Sequence, residues 1–271
     1  AGGGTGPEGG EAAAGDAAGD AGGGAPGEPG EDGGARTGAA PQAGGEAPED
    51  PDAAVRARGA ELLDPIVATL ARRVKRALQD EQNALLDRLR GSGDSWSEDL
   101  LAPEEEQRAR YVEAASPALR DAAAAGIAMA RELRAARGRP PSPDAGAVAE
   151  AAEGLAATVV TLLRRRLAEG EDGGSVAPAD RVGAAFREWR GERIERLVGD
   201  CTLAAFSSGV LTASGKAAGV HWLVGGGTPA CADCDDNALA GTVPPGDEFP
   251  TGHRHPPAHA GCRCLVLPTP G

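Results

Sequence analysis

Near its end the chain reads Cys231-Ala-Asp-Cys234 and, after a segment rich in Pro and Gly, His253-Arg-His-Pro-Pro-Ala-His259-Ala-Gly-Cys262-Arg-Cys264. Four of the five cysteines and three of the four histidines lie in this window. Thiolates and imidazoles at such spacings are typical of zinc sites. The sequence therefore predicts one structural zinc ion with a small domain folded around it. Its candidate ligands are Cys231, Cys234, His259, Cys262 and Cys264, and either His259 or Cys264 completes the site.

Two other uses of these cysteines stay open. Disulfides would contribute about 3–4 kcal/mol and would need an oxidising compartment. A structural zinc ion contributes ~10–16 kcal/mol, against a cost of roughly 3 kcal/mol for closing the loop between Cys234 and Cys262. A catalytic metal could use Asp233, Asp235 or Asp236 as general base, but four thiolates tend to close a tetrahedral site. We therefore expect structural zinc in a reducing cytoplasm.

Short β-like runs surround the motifs. They are Val220–Val224, Leu239–Val243 and Cys262–Leu267, and turn residues separate them. This pattern predicts a small antiparallel β unit. Cys231 and Cys234 would then form a metal-binding knuckle between the first two strands. In an extended strand, Cys262 and Cys264 point to the same side while Arg263 points away.

Residues 55–219 have a helical pattern. Apolar residues return at three-, four- or seven-residue steps from Leu62 to Leu89, and the run 75–83 is strongly hydrophilic. Serine or aspartate followed by proline predicts helix starts at Asp64-Pro65, Ser116-Pro117 and Ser142-Pro143, and Pro103 before three glutamates predicts another. The two Ala-rich helices are expected to end near Gly138 and Gly170. A last helix is predicted from about Ala179 to Ser208, with Trp189 and Cys201 on its apolar side. The fold class is mainly α, a helical bundle with long antiparallel helices followed by the β module.

Residues 1–54 contain no Val, Ile, Leu, Met, Phe, Trp or Tyr. A segment with nothing to bury cannot offset the entropy of ordering it, so a disordered linker is predicted there. The predicted domains are thus a linker at 1–54, a helical domain at 55–219 and a metal module at 220–271. Residues 1–52 hold eleven acidic residues and one arginine, which accounts for −10 of the net charge of −14.

This charge balance argues against broad nucleic-acid binding. The best basic run, Arg164-Arg165-Arg166, is typical of a solvated helix face. No apolar run approaches the ~18 residues of a spanning helix, so no membrane span is predicted. We expect a protein partner instead.

The tail has an order of elements that resembles a known family. Trp222 lies in the first β-like run, and Cys231/Cys234, the segment 239–243, Pro256-Pro-Ala-His-Ala-Gly-Cys-Arg-Cys264 and an apolar strand follow. This order is similar to the C-terminal motif of phage head morphogenesis proteins of the Mu protein F type. Members are minor capsid proteins that accompany the portal during assembly, with a helical part ahead of the motif. The acidic lead-in and the run 234–237 depart from this pattern.

The resemblance implies a non-enzymatic assembly protein that contacts a capsid or portal-like partner or its own copies. The polar helices also resemble, more distantly, C-terminal extensions of bacterial coiled-coil proteins of the DivIVA cell-division type. A metal-dependent hydrolase is the alternative from another class, and it would need an open metal position beside perturbed acids.

Overall fold

The computed structural model describes residues 50–169, 176–215, 219–226 and 231–269. The predicted linker therefore lies outside the described residues up to residue 49, and Ala53 and Ala54, assigned to it, begin the first helix. The elements are α1 (Ala53–Gly91), a 3₁₀ turn (Glu98–Leu100), α2 (Glu104–Leu133), α3 (Ala145–Ala168), α4 (Pro178–Glu188), a π-helical turn (Trp189–Arg193), α5 (Ile194–Ser214), β1 (Val220–Leu223), α6 (Ala232–Leu239) and β2 (Leu265–Pro268).

The predicted fold class is confirmed, with a helical bundle ahead of a small antiparallel sheet. Helix α2 lies at its centre and packs on α1, α3 and α5. The approach of α2 and α5 requires glycine, because a Cβ on Gly126 would stand 1.9 Å from the Phe206 carbonyl oxygen. On the other helix, a Cβ on Gly209 would stand 2.0 Å from the Ala123 carbonyl oxygen. Small residues thus let the two backbones touch, which is how an Ala-rich core with few aromatics becomes compact.

Two of the predicted helix starts are wrong. Pro65 lies inside the continuous helix α1 and Pro117 inside α2. In α1, the buried positions continue past the proline along one face, and the Thr69 hydroxyl donates to the Pro65 carbonyl at 2.8 Å. In α2, the Ser116 hydroxyl donates back to the Val112 carbonyl at 2.7 Å instead of capping a new helix. Packing of a long apolar face therefore overrides the local signal of an X-Pro pair.

The remaining helix ends agree better with the prediction. Helix α2 begins after Pro103, and α3 begins two residues after Pro143, with Asp144 as its N-cap. The Asp144 carboxylate accepts from the Gly146 N–H at 2.8 Å. The two Ala-rich helices end a few residues earlier than expected. The predicted last helix is two helices, α4 and α5, joined by the π-helical turn at the buried Trp189.

The hydrophilic run 75–83 is not wholly on the surface. Glu81 is 2% exposed, and its carboxylate accepts hydrogen bonds from the Tyr111 hydroxyl and the Gln107 amide of α2. Gln107 in turn accepts from Arg164 of α3, whose guanidinium also donates to the Ala102 carbonyl at 3.0 Å. One polar network therefore joins α1, α2 and α3 inside the bundle.

The three arginines of the basic run at 164–166 form hydrogen bonds and ion pairs within the protein. Arg164 belongs to the buried network, Arg165 pairs with Glu169 at 3.3 Å and Arg166 pairs with Glu188 at 3.1 Å. All three guanidinium groups are thus engaged by groups of this chain.

In the part of the chain that the structure describes, two helical segments are long and apolar enough to cross a membrane by length and composition. The sequence prediction missed them because it counted only uninterrupted apolar residues. The segments are Ala145–Ala168 and Pro178–Ser214, with mean hydropathies of 1.4 and 1.2. Both direct a stripe of buried residues into the bundle, including Val159 and Phe206 at 0% exposure. Packing in the bundle therefore accounts for part of their apolar character.

Within residues 219–226 and 231–269, the tail contains two strands where three were predicted. Strand β1 pairs with β2 in antiparallel register, with Trp222 opposite Val266. The predicted strand 239–243 is wrong, because α6 extends to Leu239 and only Val243 pairs, through two 2.8 Å hydrogen bonds with Val220. The third run forms a strand only from Leu265, so Cys262 and Cys264 precede the strand.

Candidate metal centre

Cys231 and Cys234 lie at the start of α6 rather than in a knuckle between strands. Cys231 occupies the N-cap position in an extended conformation, and Cys234 lies in the first turn. The exposed N–H groups of a helix start carry partial positive charge, which favours thiolates at these positions. The CxxC spacing therefore directs both sulfurs to the same end of one short helix.

Cys262 and Cys264 come from the turn before β2. Gly261 has a φ of +77°, a conformation that other residues rarely adopt, and the Cys262 N–H donates to the His259 carbonyl at 3.1 Å. This turn brings the second pair of sulfurs back to the start of α6.

The candidate ligands converge as two groups that share Cys234. The first contains Cys234, Cys262 and Cys264, all buried, and the second contains Cys231, Cys234 and the exposed His259. Within each group the ligand atoms lie within 4.8 Å of one another, and the Cys234 and Cys262 sulfurs are 3.9 Å apart. Zn–S bonds of ~2.3 Å in a tetrahedron place two sulfurs about 3.8 Å apart. All five candidates thus lie close together and could bind a metal ion.

N–H groups surround the buried sulfurs. The Gly225 N–H donates to the Cys264 sulfur at 3.4 Å, and the backbone N–H groups of Cys264 and Ala258 are directed at Cys262. The buried indole N–H of Trp222 has no regular hydrogen-bond acceptor among the described residues. It lies close enough to Cys264 to offset part of the rise in the pKa of that thiol. A metal-bound thiolate is the acceptor that such donors suit.

The protonation of the cluster is uneven. The hydrogen bond from Cys264 lowers the pKa of Cys262 to about 5. The pKa of Cys264 is raised, first by that same hydrogen bond and then by burial, and burial raises the pKa of Cys234 to about 12. The hydrogen bond from Cys264 thus favours the thiolate form of Cys262, which is the form that binds a cation.

His259 differs from the cysteines in exposure. Its Nδ1 lies 3.1 Å from the Ala260 carbonyl oxygen, and donation there leaves Nε2 with the lone pair that a metal needs. The other two histidines of the motif belong to neither group of candidate ligands among the described residues. His253 Nδ1 lies 2.8 Å from the Thr251 hydroxyl, which also bonds Asn237 of α6, and burial lowers the pKa of His255.

Asp200 of α5 supports the candidate site, and the sequence did not reveal it. Its two carboxylate oxygens accept from the Gly261 N–H, and burial raises the pKa of this carboxyl group. It fastens the loop that holds His259 and Cys262 to the bundle. No local motif marks it, because the contact spans 61 positions of sequence.

The acidic residues that a catalytic metal site would use, and Cys201, are not among the grouped candidate ligands. Neither group includes a carboxylate among the described residues, and Asp233, Asp235 and Asp236 are exposed. Cys201 lies outside both groups, packs on the core, and has a pKa raised to about 12 by burial.

Comparison of the chain with protein-family models, curated proteins and solved structures gives no match.

Proposed function

We propose that this chain is a non-enzymatic assembly protein whose tail is fixed by one structural zinc ion. The observation that carries the proposal is the convergence of the three buried sulfurs of Cys234, Cys262 and Cys264, with Cys231 next to Cys234 in an overlapping group. The tail module, residues 219–226 and 231–269, contains two four-residue strands and one eight-residue helix. Elements this short bury little apolar surface, so an added cross-link is needed to hold them as a rigid surface.

The zinc ligands in this proposal are Cys231, Cys234, Cys262 and Cys264. Cys264 supplies the fourth position in preference to His259, because it belongs to the buried group and faces N–H donors. His259 remains beside the site as the second candidate for that position. The bound ion would join the start of α6 to the turn before β2.

A four-thiolate site also favours a structural over a catalytic role. A catalytic zinc ion keeps one position open for water, and a general base stands next to it. Here the candidate set exceeds four ligands, and the acids of α6 point to solvent. A closed site supplies folding free energy and leaves the metal inaccessible to substrate.

The resemblance of the tail to phage head morphogenesis proteins supports an assembly role. The order of a helical bundle followed by the Cys/His module agrees with the family layout. In this proposal the protein binds a capsid- or portal-like partner or copies of itself, within the cytoplasm.

Hydrogen exchange of the full chain, with and without a zinc chelator, tests the proposed role of the metal. Chelation should release protection in residues 219–226 and 231–269 while the cores of α2 and α5 stay protected. Cys234→Ala should reproduce this pattern without chelator, and Cys201→Ala, the matched control outside the cluster, should not. Unchanged protection of the tail after complete zinc removal would overturn the structural role.

A further inference from the structure

The two overlapping groups of candidate ligands differ in their access to solvent. The inner group, Cys234, Cys262 and Cys264, is 1%, 1% and 4% exposed. The outer group shares Cys234 and adds Cys231, which is half-buried, and His259, which is exposed. Neither Cys231 nor His259 belongs to the inner group. A metal ion in this cluster therefore has a position that is closed off from solvent and a neighbouring position that meets it.

The number of ligands favours one ion over two. Two closed tetrahedral sites that shared the Cys234 sulfur would need more ligands than the five that the described residues bring together. The two groups are therefore alternative positions for the same ion. The four cysteines close a tetrahedral site, whereas the three outer ligands leave one position to water or to an incoming ligand.

The same two short segments carry both groups. Cys231 and Cys234 lie at the N-cap and in the first turn of α6. His259 and Cys262 lie in one turn, where the Cys262 N–H donates to the His259 carbonyl at 3.1 Å. The Asp200 carboxylate holds this turn to α5. Because each segment supplies ligands to both groups, an ion can pass between them while both segments stay in place.

We propose that zinc enters and leaves the buried sulfurs through the outer group, with His259 as a ligand that is bound only in transit. In the outward step, the bonds from the ion to Cys262 and Cys264 break and a bond to a ring nitrogen of His259 forms. The released thiolates take up protons from water, and no electron is transferred because zinc has no redox chemistry. This inference rests on the proposed structural zinc and adds its regulation, since the tail then gains and loses the ion in response to free zinc.

His259 acts in this proposal on the rate of zinc exchange and not on the final site. One path serves both directions, so the loss of His259 slows uptake and release by the same factor. The equilibrium affinity for zinc is then unchanged. A residue that only stabilised the tail would behave differently, because its loss would speed up release and weaken binding.

Zinc release from the reduced, zinc-loaded full chain into excess EDTA tests the path, with the zinc left on the protein measured by elemental analysis after rapid gel filtration. His259→Ala should release zinc ~10-fold or more slowly than wild type, because the departing ion loses one of its few outer ligands. Its zinc content and its affinity in chelator competition should equal those of wild type. His221→Ala is the matched control at the histidine of β1, which neither group of the described residues includes, and it should release zinc as wild type does.

Release from His259→Ala at the wild-type rate or faster would overturn the proposed path. A zinc-free His259→Ala would overturn it as well, because His259 would then hold the ion permanently. In both cases one zinc in wild type leaves the proposed function standing, whereas wild type without zinc removes the proposed function itself. His259→Gln, which keeps a polar side chain but no imidazole nitrogen, replaces His259→Ala if the zinc-loaded tail of the latter lacks hydrogen-exchange protection.

Discussion

The Gly261 N–H donates to both carboxylate oxygens of Asp200, at 2.9 and 3.1 Å. The Asp200 carboxylate thereby connects α5 to the loop that carries the candidate ligands His259 and Cys262. Asp200→Ala should lower the free energy of unfolding by about 1–2 kcal/mol, because a charged hydrogen bond to a half-buried group is lost. Asp200→Asn keeps an acceptor oxygen and should retain most of that stability in chemical denaturation. Equal losses in both variants would show that the negative charge, not the hydrogen bond, holds the loop.

The two interhelical glycines make the bundle sensitive to a single methyl group. Gly126→Ala should lower the free energy of unfolding by ~1–3 kcal/mol or more, since the new Cβ meets the Phe206 backbone and α2 and α5 must separate. Gly154 of α3 has nothing within 4 Å of an added Cβ. Gly154→Ala is therefore the control, and it should raise stability by ~0.5–1 kcal/mol. Thermal unfolding of both variants checks the signs, and a neutral Gly126→Ala would contradict the close packing of the two helices.

The buried pair of Glu81 and Tyr111 predicts a loss of stability in alkali. Burial, with the adjacent carboxylate, raises the pKa of Tyr111 above its ordinary value. A raised folded-state pKa means that the unfolded chain loses this proton first, so the stabilisation is complete below about pH 10 and declines as pH rises further.

Tyr111→Phe should be less stable at neutral pH by ~1–3 kcal/mol, because the Glu81 carboxylate loses a donor. The difference between the two proteins should shrink as pH rises above about 10. Denaturant titrations at neutral and alkaline pH measure it, and a constant difference would argue against the buried hydrogen bond.

The sequence predicted the class of the fold and the group of side chains that the fold brings together, since both depend on short-range patterns. Apolar spacing predicted the helices, and the clustered cysteines predicted the candidate ligands. The helix starts predicted at Pro65 and Pro117 were wrong because burial of a long helix face can offset the local cost of proline in a helix. The segment 239–243 was wrongly predicted to be a strand. Its composition is β-like, but the helix α6, which carries Cys231 and Cys234 at its start, extends to Leu239.

Residues that act through distant contacts could not be found in this way. Glu81 lies in a strongly hydrophilic run, and only the packing of α2 against α1 shows that its carboxylate is buried with partners. Asp200 occupies an ordinary helical position, and its partner Gly261 lies in the turn just before Cys262. Such pairs depend on tertiary structure alone.

The central claim is that the cysteine cluster holds one zinc ion, and elemental analysis of the reduced, purified chain tests it most directly. The account predicts one zinc per chain in wild type and in Cys201→Ala. It predicts loss of that zinc in Cys231→Ala, Cys234→Ala and Cys262→Ala, with unfolding of the tail. Reduced wild-type protein that holds no metal after purification and binds none on addition of zinc would contradict it.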